Sequence, residues 1–250
     1  MNKQISESAA KISSLENEIK SWKGRFESSE NEKSSIVAEN ANLNLKYPLM
    51  RSVAEAVIVN FNYDKKYLYN TSTGSVTSDK ELKNYNFGLT YQRTDQIFGG
   101  GFTQANFNYT MGDLDLSKVA SSLSTDQGTS GYKTNGSFNK KNIQISRIQQ
   151  INEKINLNFL IDAQLASKNL DTSEKMSLGG PSGIRAYPSG EASGDEGYRY
   201  NIDLKYSLGN FPLIGDMTSS IFYDYGKIKQ YKNKDAVSSP ITNNEYSLSG

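Results

Sequence analysis

A chain of 250 residues with 28 basic and 27 acidic side chains, net +1, offers no electrostatic ground for nucleic-acid binding. It has no histidine and no cysteine, which removes the usual zinc sites, His-based catalysis, disulfides and thiol chemistry together, so no enzyme activity, cofactor or metal is expected. Hydrophobic residues make up 36%, mean hydropathy is −0.64, and without a run of ~18 apolar residues no spanning helix is expected.

The first residues, "MNKQISESAA", lack an apolar h-region and do not read as a signal peptide. Ile5, Ile12, Ile19 and Phe26 then recur seven apart, with Leu15 and Trp22 at the partner positions of the same heptad. Ser8 and Ser29 weaken that seam, and Lys33 and Asn40 stand where apolar residues would be wanted. The spacing predicts a coiled-coil-like helix over residues 1–41, read as a solvated extension or as a helix for self-association.

From residue 42 the period changes to two. "NYNFGLTYQ" puts Tyr85, Phe87, Leu89 and Tyr91 on one face; "KINLNFLIDAQLA" and "GYRYNIDLKYSL" repeat the alternation. Strands are expected near 42–50, 53–64, 82–94, 101–113, 133–148, 153–167, 197–209 and 217–230. A water-soluble sandwich could alternate in this way. Strand length and tyrosines gathered near strand ends favour a transmembrane β-barrel, whose hydropathy looks soluble because only alternate side chains meet lipid.

Connections sharpen the barrel reading. Those at 51–52, 95–100, 149–152 and 210–216 are short, and those at 65–81, 114–132, 168–196 and 231–244 are long and polar. Outer-membrane barrels alternate tight periplasmic turns with extended external loops. On this rhythm the first strand begins on the outer side and "EYSLSG" re-enters from outside, whereas bacterial barrels begin and end in the periplasm. The expected fold class is therefore all-β: about eight strands of a larger antiparallel transmembrane barrel over 42–250, incomplete at both ends, behind the N-terminal helix.

One connection stands out: "SEKMSLGGPSGIRAYPSGEASGDEG", with a single arginine inside a glycine-rich run. It has no GK[ST] and leads into a strand, so it is no phosphate-binding loop. Glu191, Asp195 and Glu196 could form an acid/base pair, but a solvated loop is the expected state of all three. "GDLDLSK" at 112–118 resembles half a calcium loop without its glycine and terminal acid.

The same run resembles the signature of the two-partner secretion outer-membrane transporters, the hemolysin secretion/activation proteins of the ShlB/FhaC/HecB type. "LNLKYPLMRS", "QLASKNLDTSEK" and "FYDYGKIK" also resemble that family, so the likeness covers residues 42–250. In that superfamily a loop bearing V-R-G-[FY] folds back into the barrel lumen. The resemblance places the lid motif at Gly179, Gly180, Pro181, Gly183, Ile184, Arg185, Ala186 and Tyr187, within a lid loop 168–196. Ile184 and Ala186 depart from the family's Val and Gly.

It further implies that the lid arginine pairs with the Asp of an F-x-D-x-G motif on the strand after next, here Phe222, Asp224 and Gly226. The alternation in "SSIFYDYGKI" agrees on direction, since Ile221, Tyr223 and Tyr225 form the lipid-facing set and leave Phe222, Asp224 and Gly226 facing the lumen. An inward carboxylate wants a cation, and a guanidinium meets it bidentately. The expected function is outer-membrane translocation of a large, unfolded partner exoprotein such as a hemolysin or adhesin. The expected partners are that exoprotein and outer-membrane lipid. The family's periplasmic domains are not visible here, so this chain alone is not expected to secrete. A passive porin-like barrel and a soluble β-sandwich adhesin are the alternatives.

Overall fold

The computed structural model describes residues 35–72, 75–234 and 244–250. Strands β1 (Ser35–Arg51), β2 (Glu55–Ser72), β3 (Ser75–Asp95), β4 (Gly101–Asp115), β5 (Gly136–Gln150) and β6 (Ile155–Ala166) follow one another as antiparallel neighbours. The chain then makes two short strands, β7 (Met176–Ser177) and β8 (Ser193–Gly194), paired only with each other. It rejoins the large sheet as β9 (Glu196–Phe211), β10 (Gly215–Lys229) and β11 (Glu245–Ser249). The sheet order is β1-β2-β3-β4-β5-β6-β9-β10-β11; within the described residues β1 and β11 each pair on one side only, so the sheet is open.

The alternation read from the sequence sorts the two faces. Register aligns Phe61 with Phe87 and Phe87 with Tyr109, and the Phe61 and Phe87 rings lie 5.2 Å apart. This apolar face stays open: Phe87 is 45% and Ile221 75% exposed. No second large sheet covers it among the described residues, which overturns the β-sandwich alternative. Such a face needs an apolar solvent, and each side chain removed from water contributes about 1.5–3 kcal/mol. No helix among the described residues is long and apolar enough to cross a membrane.

The opposite face is polar at mid-strand and apolar at one end. There Leu82, Leu114, Phe138 and Ala166, from β3 to β6, form a buried cluster with Leu116 and Leu170 of the connections. The 116–135 connection carries a short helix, α1 (Ala120–Gln127), whose Leu123 packs on that cluster. These connections therefore fold inward over the end of the sheet.

Several expectations are corrected. Residues 35–41, assigned above to the helix, belong to β1 and pair with β2 from Ser35↔Thr71 onward. The unpaired N–H and C=O groups along the outer half of β2 provide the ladder they join. The heptad positions Ile5 to Phe26, and the self-association expected of them, lie outside the described residues. The 65–81 connection, expected as a long loop, is the outer half of a β2–β3 hairpin. Its hydropathy falls but its strand pairing continues, helped by Lys65 against Glu81 at 3.1 Å and Lys83 against Glu81 at 2.8 Å. The alternation of long and short connections consequently fails at this hairpin.

The lid loop and its docking strands as candidate functional site

The connection from β6 to β9 is a built loop. Asp171 caps a single 3-10 turn, Thr172–Glu174, by accepting the N–H of Ser173 at 3.1 Å. Beyond the β7–β8 pair, Leu178 N–H donates to Ala192 O at 2.9 Å and Gly180 N–H to Tyr187 O at 3.0 Å. Ile184 N–H closes the tip onto Leu178 O at 2.7 Å. Gly183 is required at that closure, because a Cβ would strike the Leu178 carbonyl. Pro181 and Ala186 stay exposed on the tip, while Gly180, Gly183 and Ile184 are buried.

The tip rests on the polar face of β9 and β10. Ile184 and Leu178 are fully buried with Met176 and Ile228, and Tyr187 and Leu248 pack against them. Leu178 lies over Gly226, where an added Cβ would approach its Cδ2 to 2.7 Å. Asp224 is 0% exposed and receives the tip. Its Oδ2 accepts the Arg185 backbone N–H at 3.0 Å and Nε at 2.8 Å, and its Oδ1 accepts Nη2 at 2.6 Å. Arg185 Nη1 lies 2.7 Å from Asp203 Oδ1, and the guanidinium sits 3.9 Å from the Phe222 ring centroid. Asn201 Nδ2 donates both to Asp224 Oδ1 at 2.8 Å and to Gly183 O at 2.7 Å. Gly250, next to Ala186, exchanges two backbone hydrogen bonds with Asp224 at 2.8 and 3.0 Å.

Chemically this is a clamp. The guanidinium fork meets one carboxylate bidentately and a second monodentately, and both are held on rigid strands. The hydrogen bond to Asp224 raises Arg185 above its already high ordinary pKa, so its charge persists at any pH in use. No group of three or more His, Cys, Asp and Glu suited to a metal occurs among the described residues.

Two buried carboxylates fasten the shoulders of the loop. Glu174 meets Lys140 at 2.7 Å and accepts from Asn84 at 3.0 Å. Asp195 is 3.0 Å from Lys175 and accepts the N–H groups of Leu170 at 3.1 Å and Lys232 at 2.8 Å. Burial alone would push the Asp171 carboxyl up. The Lys80 charge, with a 2.6 Å hydrogen bond and donors from Ser173, outweighs burial and holds it below the usual carboxylate range. The expectation of a solvated Glu191–Glu196 run is thus corrected. Glu191 is exposed, but Asp195 is fully buried as an anchor and Glu196 pairs with Lys232 at 2.6 Å. A carboxylate in a polar run looks solvated until its backbone donors are known.

Asn201, Asp203 and the nearby Arg199–Asp162 pair at 3.0 Å were not singled out from sequence. Their signal was present. Strict alternation puts Arg199, Asn201 and Asp203 on one face, and the register Asp203↔Phe222, Asn201↔Asp224, Arg199↔Gly226 sets them beside the docking motif.

The sequence model described as haemolysin secretion/activation protein ShlB/FhaC/HecB matches residues 20–242. The heme/hemopexin transporter protein HuxB of Haemophilus influenzae (strain 86-028NP) is 36% identical over 112 residues, which cover 45% of this chain and 20% of HuxB. The outer membrane transporter CdiB of Dickeya dadantii (strain 3937) is 24% identical over 165 residues, 66% of this chain and 28% of CdiB. In three dimensions CdiB from Escherichia coli matches with a TM-score of 0.68 at 18% identity, over 86% of this chain and 40% of that one, a likeness of fold alone. The matched regions thus span between a fifth and two fifths of each relative's length.

Proposed function

Because the chain belongs to the haemolysin secretion/activation protein family ShlB/FhaC/HecB, an outer-membrane two-partner secretion family, we propose that its sheet is part of the wall of a pore passing an unfolded partner exoprotein outward. The tip at 178–187 is the lid of that pore. Outer-membrane lipid covers the apolar rows, and the polar face lines a wet path through a layer where exposed backbone would otherwise go unsatisfied. No residue here is assigned a catalytic role. Folding of the exoprotein outside supplies the driving force.

The observation that carries this reading is Arg185 held between Asp224 and Asp203. Each charge-assisted hydrogen bond contributes about 1.5–3 kcal/mol, so the lid stays docked until a passenger displaces it. A charge swap between positions 185 and 224 is a poor test, because Asp224 also accepts the Arg185 backbone N–H and Asn201. The informative series is Arg185→Lys and Arg185→Ala in the intact protein, with exoprotein counted in the medium at equal outer-membrane levels. Lysine keeps the charge but not the fork. Because the docked tip also sets the shape of the path a passenger enters, a graded loss from Arg to Lys to Ala is expected. Secretion unchanged in Arg185→Ala would refute the lid's role.

A further inference from the structure

The polar face of the sheet divides into two zones. On β6, β9 and β10 it is charged and occupied, by the Arg199–Asp162 pair and the Arg185 clamp. On β2 to β5 the same face carries carboxamides: Asn60, Asn62, Asn86, Asn106, Asn108 and Gln144. They are linked sideways, Asn106 donating to Gln144 at 3.2 Å and Asn86 accepting from Thr110 at 2.6 Å. Asn62 Oδ1 is buried without a hydrogen-bond partner. Gly88 lies in the middle of this zone, and a Cβ there would come within 2.5 Å of Asn60 Nδ2, so glycine lets that amide lie flat across the strand. A trough of about 770 Å³ opens over the β1–β4 part of this face; six asparagines and Gln92 line most of it, with Thr90, Ile58 and one cation, Lys46.

We propose that this carboxamide trough is the surface along which the translocating chain slides, and that it recognises an extended polypeptide through its backbone rather than its side chains. The inference rests on the secretion-pore reading. Each Asn or Gln offers two donors and an acceptor, the groups an unpaired peptide unit lacks. Same-face side chains on a strand repeat about every 6.8 Å, and so do like-facing peptide groups of an extended passenger. The trough therefore matches any sequence in the extended state. The carboxamide bonds that dominate the trough are neutral, each contributing about 0.5–1.5 kcal/mol net, weak enough for the chain to move on. A charged wall would hold oppositely charged passengers and repel like-charged ones.

The chain has no cysteine, so any introduced thiol is unique within it. In the intact protein, Asn62→Cys and Asn108→Cys place thiols in the trough, and Lys205→Cys places one on the polar row of β9. Each is combined with exoprotein stalled by a tightly folded, cysteine-free C-terminal domain and carrying one thiol at either of two unrelated positions. Heat-modifiable migration of the same variants on gels shows that they fold and insert. Disulfide adducts are expected from both trough positions with either passenger thiol. Adduct from Lys205→Cys alone would overturn the inference and leave the pore reading standing. Loss of adduct at all three positions, with the exoprotein still secreted, would overturn both.

Discussion

Replacing Asp224 by Asn tests the clamp at its centre. The amide keeps the carboxylate's shape and one acceptor but loses the charge, and its NH2 then faces an N–H donor. The bonds from Arg185 Nε at 2.8 Å and Nη2 at 2.6 Å lose their charge assistance, each contributing about 1.5–3 kcal/mol. Asp203 still holds Nη1, and Arg185 is 28% exposed, so the lower end applies and about 3 kcal/mol is expected. At 1.4 kcal/mol per tenfold, the undocked tip becomes about 100-fold more populated. The Arg185–Ala186 bond should then open to trypsin in the detergent-solubilised protein, read by mass spectrometry as a fragment ending at Arg185. Cleavage at the wild-type rate would refute the claim that this pair holds the tip down. Asp203→Asn added to Asp224→Asn should accelerate cleavage further.

The face assignment predicts an asymmetry between neighbours: Phe107→Lys on the apolar row should destabilise the inserted protein by about 2–4 kcal/mol, whereas Asn106→Lys on the polar row should cost far less. Heat-modifiable migration on gels measures both, and equal losses would show the faces to be misassigned. The depressed Asp171 carboxyl makes loop anchoring pH-dependent. Because its folded pKa lies below the unfolded value of about 3.9, its contribution is fully present above that value and lost as pH falls through the folded pKa. Protease release of the loop should therefore rise on acidification through that window, and Asp171→Asn should remove the step.

Much of this was legible in the residues. Alternation from Tyr85 to Tyr91 and from Tyr198 to Leu208 gave strands and faces together, because a side-chain period of two leaves no freedom once one face is apolar. Ile221, Tyr223 and Tyr225 likewise left Asp224 on the polar side, where Arg185 lies. What escaped depended on long-range partners. Lys65 and Glu81 look like loop residues until their ion pair bridges the hairpin, and Asp195 looks solvated until Lys175 and two backbone donors surround it. Asp203 became visible only through the β9–β10 register, which alternation alone does not set.

The β7–β8 pair ties the two stems of the loop together at their base, with Glu174 and Asp195 riveting the flanks. Residues 178–192 beyond that tie can reach at most about 25 Å from it even when pulled straight. If the tip is the lid proposed above, a stopper on so short a leash cannot be swept out with its passenger. On that reading it would hang within reach of its own seat once the strand has cleared, close enough to dock again.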